Sequence, residues 1–112
     1  MSKYGNIKIT YNGMVFDSIA EKDRYVELLL LQNSKGDNRV YNLERQVKFV
    51  LIEKQQSEKA VTYDVDFTYI QNGVYYAEDV KSVATAKAKD YVIKRKLFKL
   101  KYPEYVFREE IR

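Results

Sequence analysis

The stretch Val61–Ser82, VTYDVDFTYIQNGVYYAEDVKS, sets Asp64, Asp66, Asp79 and Lys81 among β-prone residues. Its Asn72-Gly73 pair predicts two strands joined by a tight turn. Side chains alternate along a strand, so Asp64 and Asp66 are expected on one face of the first strand and Val65 and Phe67 on the other. On the next strand Asp79 and Lys81 share a face, opposite Glu78 and Val80. A turn centred between Asn72 and Gly73 puts Asp66 directly across from Asp79. Facing carboxylates repel one another. Lys81, a raised pKa or a divalent cation would each relieve that repulsion, and Mg²⁺ takes one or two carboxylates together with water and phosphate oxygens. Asp64 lies farther along the strand and is peripheral. Glu21 is a further candidate. It follows Ser18 in an S-x-x-E capping box, where its ordinary duty is to bond backbone at the helix start. Tyr25 and Leu28 lie one and two turns on, which could turn it towards a sheet instead.

The absence of histidine and cysteine removes Ser-His-Asp and Cys-His nucleophilic sites and the usual zinc sites. Catalysis would have to use carboxylates, Lys, Tyr, Ser or a hard metal ion. Without cysteine there is no disulfide framework, and MSKYGNIKIT has no apolar leader core. No run of about 18 apolar residues offers a membrane span. A cytoplasmic protein is expected. A length of 112 residues and 46% apolar content fit one α/β domain, 1–112, with a real core. The formal charge is +4, and the segment Lys81–Lys101 carries its lysines and Arg95 against a single acid, Asp90. That balance points to an anionic partner or to a solvated helix face.

The elements that must position these groups follow from periodicity. Residues 7–16 predict a hairpin turning at Asn12-Gly13, with 1–16 as an N-terminal hairpin and arm. A helix follows from Ser18 and closes at Gly36, with Ile19, Val26, Leu29 and Leu30 on one face. QVKFVLIEK, about 46–54, is the first strand of a three-strand antiparallel meander. A helix over about 85–101 has an apolar stripe of Ile93, Leu97 and Leu100, and Pro103 stops it before a last strand, EYVFREEI. The core order is α-β-β-β-α-β. On the second helix Lys87, Lys94 and Lys101 recur every seven residues as a basic stripe, with Arg95 beside it; of the aromatics alongside, Phe98 is expected in the core, and Tyr91 either there or near the site.

Asp66 with Asp79-Val80-Lys81, on consecutive strands of such a core, resembles the PD-(D/E)xK nuclease superfamily and its restriction-endonuclease-like fold with a mixed central sheet. Val65 stands where the proline would be. Over nearly the whole chain, KYGN, FDSIAE, LERQVKF, YDVDFTY, EDVKS and DYVIKRKLFKLKYP are similar to small phage-encoded nucleases related to Holliday-junction resolvases. Members often have Gly where this chain has Ser82. The resemblance implies Mg²⁺, with Mn²⁺ able to substitute, held by Asp66, Asp79, the backbone carbonyl of Val80 and Glu21. It implies that Lys81 positions the attacking water and that Lys94 and Arg95 contact DNA phosphates, a contact that the basic stripe would extend to Lys87 and Lys101. Gln46 matches a family position that can reach the site, although a polar residue at the start of a strand is equally ordinary. The expected activity is structure-selective cleavage of branched DNA in a bacterial host cell, with a homodimer supplying two nicks. The alternative is a DNA-binding recombination accessory whose acids form only a buried ion network.

Overall fold

A computed structural model describes residues 7–112, and the KYGN stretch and most of the expected arm lie outside them. The element order is β1 (Ile9–Tyr11), β2 (Met14–Phe16), α1 (Ile19–Gln32), β3 (Val40–Ile52), β4 (Val61–Gln71), β5 (Val74–Lys81), a 3-10 turn (Thr85–Lys87), α2 (Lys89–Lys101) and β6 (Val106–Ile111). After the β1–β2 hairpin this is the expected α-β-β-β-α-β order. One sheet holds β3-β4-β5-β6, antiparallel except for the parallel β5–β6 pair. The chain is thus α/β with a mixed four-stranded sheet, a separate hairpin and two helices.

Local chemistry explains the turns. Asn12 and Gly13 have φ of 50° and 77°, and Asn72 and Gly73 have 52° and 75°. Two successive positive φ values match the twist of a two-residue hairpin, and Asn-Gly is the pair that adopts them at least cost. The second turn sets Gln71 against Val74 and, counting back, Phe67 against Glu78.

The two helices cover opposite faces of the sheet. On β5, Ala77 packs with Phe49, Tyr63, Val65, Tyr91 and Phe98 on the α2 side. Its neighbours Tyr76 and Val80 pack with Leu28, Val40, Phe67 and Tyr69 on the α1 side. Strict alternation fails on β4: Val65 belongs to the α2 cluster and Phe67 to the α1 cluster, although they were expected on one face. β3 makes the same change, from Leu43 on the α1 side to Val47 and Phe49 on the α2 side. Gln46, between them, has φ 50°. The left-handed backbone at Gln46 lies where the faces exchange, and Asp66 sits at the matching place on β4, between the pairs Arg45–Phe67 and Val47–Val65.

The helix faces match the expectation only in part: Glu21 with Leu28, Phe98 and Leu97 turn towards the sheet as expected, but other residues do not. α1 buries Glu21 and Leu28, while Ile19 and Leu30 are exposed. α2 buries Tyr91 and Phe98 and leaves Ile93 and Leu100 exposed. Polar residues near the buried side, Glu21 and Arg24, and aromatic ones, Tyr91 and Phe98, turn inward because partners await them there. α1 ends at Asn33, whose N–H bonds the carbonyls of Leu29 and Leu31, and not at Gly36. β3 begins at Val40, earlier than the expected residue 46.

Candidate active site

Glu21 arrives first, on the opening turn of α1. Ser18 caps the helix, its Oγ accepting from the Glu21 N–H at 3.1 Å. The reciprocal bond goes to Asp17, whose N–H donates to Glu21 Oε2 at 3.1 Å. The other oxygen, Oε1, accepts from Gln46 Nε2 at 2.9 Å. Glu21 therefore serves the cap with one oxygen and faces the sheet with the other. Arg45 Nη2 stands 3.8 Å from the same Oε1.

Asp66 and Asp79 meet where the β4–β5 backbone ladder ends, one step beyond Phe67–Glu78. From there the carboxylates take over the strand-pairing bonds. The Asp66 N–H donates to Asp79 Oδ1 at 2.8 Å, and the Val80 N–H donates to Asp66 Oδ2 at 2.8 Å. Gln46 Nε2 also donates to Asp66 Oδ1 at 3.2 Å, so one amide links Glu21 and Asp66. Asp79 is 1% exposed, and its Oδ2 accepts from the Tyr63 hydroxyl. Lys81 Nζ lies 3.8 Å from Asp79 Oδ2 and 4.5 Å from the centre of the Tyr91 ring.

Electrostatics follow from this crowding. Burial, then the negative charges of Asp79 and Glu21, push the Asp66 carboxyl up to about 8. Burial also raises Asp79, against the opposing pull of Lys81 and the hydrogen bonds that favour its charged form. Glu21 is raised, again chiefly by burial. Of the three ways to relieve facing carboxylates, a neighbouring lysine and a raised pKa are both present.

A cavity of about 260 Å³ opens beside these groups, lined by Glu21, Asp66, Val80 and Lys81 and also by Asp17 and Arg112. Asp79 does not line it. Among the described residues no three acids close on one point as a finished cation cage. The donors are nonetheless all oxygen, from carboxylates and backbone. Three crowded acids with raised pKa values and one nearby ammonium leave negative charge for a proton or a hard cation to balance, a set that fits Mg²⁺.

None of the expected phosphate contacts lines the cavity. Lys87 is exposed on the 3-10 turn. Lys94 is half-buried on α2. Arg95 pairs with Glu109 at 3.0 Å, and Lys101 pairs with Glu53 at 3.3 Å. Tyr91 is buried and donates its hydroxyl to Glu109, while its ring supports Lys81. Ser82 needs no glycine, for it takes no positive φ. Its N–H donates to Thr85 Oγ1 at 2.8 Å, and its Oγ accepts from the Thr85 N–H at 3.1 Å. Asp64 is exposed and apart from the cavity.

Sequence reasoning missed Tyr63, Arg45, Arg24 and Arg112. The nearest signal is for Arg24, three residues from Glu21 and so on the same face of the helix. Its guanidinium grips the fully buried Glu78 at 2.7 and 2.9 Å, and the Tyr69 hydroxyl donates to Glu78 at 2.6 Å. No curated protein and no solved structure shows significant similarity to the chain. A family model described as a protein of unknown function, DUF1064, matches residues 1–111, and the chain belongs to that family.

Proposed function

We propose that the protein is a Mg²⁺-dependent, structure-selective DNA endonuclease built on a restriction-endonuclease-like core, with four-way junctions and other branched DNA as substrates. One observation carries the reading. Glu21, Asp66 and Asp79 come from three different elements and are tied together by Gln46 and by strand-end backbone bonds, beside Lys81. Such convergence of acids at the cost of mutual repulsion is what perturbed functional sites display.

Glu21, Asp66 and the Val80 carbonyl, with Asp79 behind them, would hold the ion, and Mn²⁺ would substitute. Bound there, it would lower the pKa of a water and offset charge on the phosphate. Gln46 keeps Glu21 and Asp66 aligned. Tyr63 fixes the inner oxygen of Asp79. Lys81, steadied over Tyr91, would orient the attacking water and balance charge on the phosphoryl oxygens. Lys87, Lys94, Arg95 and Lys101 would contact DNA phosphates; these fix register and not sequence. Paired nicks across a two-fold junction call for a homodimer.

A second reading has its own support. Asp79 is buried, with both oxygens committed to Tyr63 and Asp66. On that reading the acids are a structural network in a DNA-binding accessory module. The deciding experiment incubates a labelled immobile four-way junction, and a matched linear duplex, with Mg²⁺ or EDTA, beside Asp79→Ala. The nuclease reading expects paired, Mg²⁺-dependent nicks in the junction that the substitution abolishes. Tight binding with no nicking under any divalent ion would leave the accessory module.

A further inference from the structure

Arg112 lines the same cavity as Glu21, Asp66 and Lys81. The parallel β5–β6 pair brings it there: Lys81 aligns with Ile111, and the Arg112 N–H donates to the Lys81 carbonyl at 2.9 Å. Its guanidinium is held from α1. Nη1 and Nη2 donate to the two oxygens of Glu27 at 2.6 and 2.5 Å, and Nε lies 3.5 Å from Glu110. Glu27 in turn accepts from Arg24 Nη1 at 3.2 Å, and Arg24 is anchored on the fully buried Glu78. The arginine is therefore fixed through a chain of ion pairs that ends in the core.

A guanidinium has five N–H donors. Glu27 takes one from each terminal nitrogen, and Glu110 faces the Nε–H, which among the described residues leaves one N–H on each terminal nitrogen without a partner. Glu27 does not line the cavity, whereas Arg112 does. The cavity wall otherwise carries Asp17, Glu21 and Asp66, and Lys81 is drawn towards Asp79. An anionic strand entering this cavity meets three carboxylates in its wall, and a fixed cation in the same wall offsets their repulsion. A planar fork with donors to spare suits phosphate oxygens better than a lysine does.

We propose that Arg112 is a substrate-binding residue that donates to a phosphodiester oxygen of the strand being cut, and that Glu27 positions it. This rests on the nuclease reading and adds to it a contact outside the acid-lysine set. Glu27 acts through Arg112 and is a positioning residue.

The test uses the full chain with a labelled four-way junction and a linear duplex. Cleavage is measured in Mg²⁺, and binding is measured in Ca²⁺ over a range of salt concentrations. Arg112→Ala should raise KM about tenfold, the worth of one charge-assisted bond, with kcat within about threefold. The slope of log affinity against log salt should fall in magnitude by about one. Arg112→Lys keeps the charge without the fork, should fall between the two, and maintains the test if the alanine form unfolds on heating too early to assay. Glu27→Gln should raise KM by a smaller factor with the salt slope retained. Unchanged KM and salt slope in Arg112→Ala, in a wild type that cuts, would overturn the assignment and leave the nuclease reading standing. A fall in KM for Glu27→Gln would show the carboxylate competing with phosphate and overturn its positioning role. A wild type that neither binds nor cuts DNA would remove both readings together.

Discussion

Asp66 sets a pH dependence that can be worked out in sign. Its carboxyl is held at about 8 in the fold, against an ordinary value of 3.8. The folded protein thus keeps a proton that the unfolded chain has lost between about pH 4 and pH 8, and stability falls as pH rises through that window. Glu27 and Glu109, held below the ordinary range by Arg112 and by Tyr91 with Arg95, act oppositely at more acid pH, so the effect is read above about pH 5. Urea denaturation in EDTA should show a lower midpoint at pH 8 than at pH 5.5. Asp66→Asn should flatten that slope and gain about 1 kcal/mol at pH 8 by relieving the crowding. An unchanged slope would mean that Asp66 is not the carboxyl that titrates, leaving Asp79 and Glu21, which burial also raises. Gln46 gives a second prediction. Its φ of 50° costs a side-chain-bearing residue about 1 kcal/mol, so Gln46→Gly should be more stable than Gln46→Ala by about that amount in denaturant titrations. If the amide aligns Glu21 and Asp66, both substitutions should lose cleavage equally, since neither keeps the amide.

At the scale of elements, the acids were legible because hairpin arithmetic is local. An Asn-Gly turn fixes the register, and the register fixes which residues face each other; Phe67–Glu78 confirms the count that pairs Asp66 with Asp79. The helix faces were legible only in part: Phe98 and Leu97 turn inward as expected. Counting apolar residues put Ile19, Leu30, Ile93 and Leu100 inward, yet all four are exposed. The buried side of α1 carries a carboxylate and presents an arginine to the sheet, and polar residues with distant partners leave no periodic trace in a single chain. The face exchange at Gln46 and Asp66 was hidden for a similar reason, since one left-handed residue cancels alternation without altering composition. The Arg24–Glu78 pair shows what such hidden contacts contribute. Glu78 is fully buried, and Arg24 supplies two of its hydrogen bonds from α1. Arg24→Ala should cost about 3–5 kcal/mol, because it strands a buried charge. Arg24→Met with Glu78→Leu should recover most of that loss. Equal losses in the single and double variants, measured by urea denaturation, would show that packing of α1, and not the charge, is at stake.

For the whole molecule, the order of elements followed from periodicity and turns and the mixed sheet from the family resemblance, whereas the cavity depends on where two strands stop pairing. On the proposed reading, that cavity would couple metal, proton and fold in one measurable quantity. A ligand that binds only the folded state stabilises it by RT ln(1 + [L]/Kd). If Mg²⁺ binds Asp66 and Glu21, it must displace the proton that crowding holds there, so its affinity should rise with pH towards about 8, where the carboxyl of Asp66 loses that proton unaided. Stability without metal moves the other way over the same window, so the two curves should diverge. Thermal unfolding should therefore show a small upward shift with millimolar Mg²⁺ at pH 6 and a larger one at pH 8, where the metal-free protein is weakest. The shift should reverse with EDTA and vanish in Asp66→Asn. Mn²⁺ should give at least as large a shift at equal concentration, since carboxylate sites generally bind it more tightly. A shift independent of pH, or one that survives Asp66→Asn, would place the ion elsewhere on the surface. No shift at either pH, in a protein that still binds DNA, would favour the accessory module, with Asp79 and Tyr63 as part of its core.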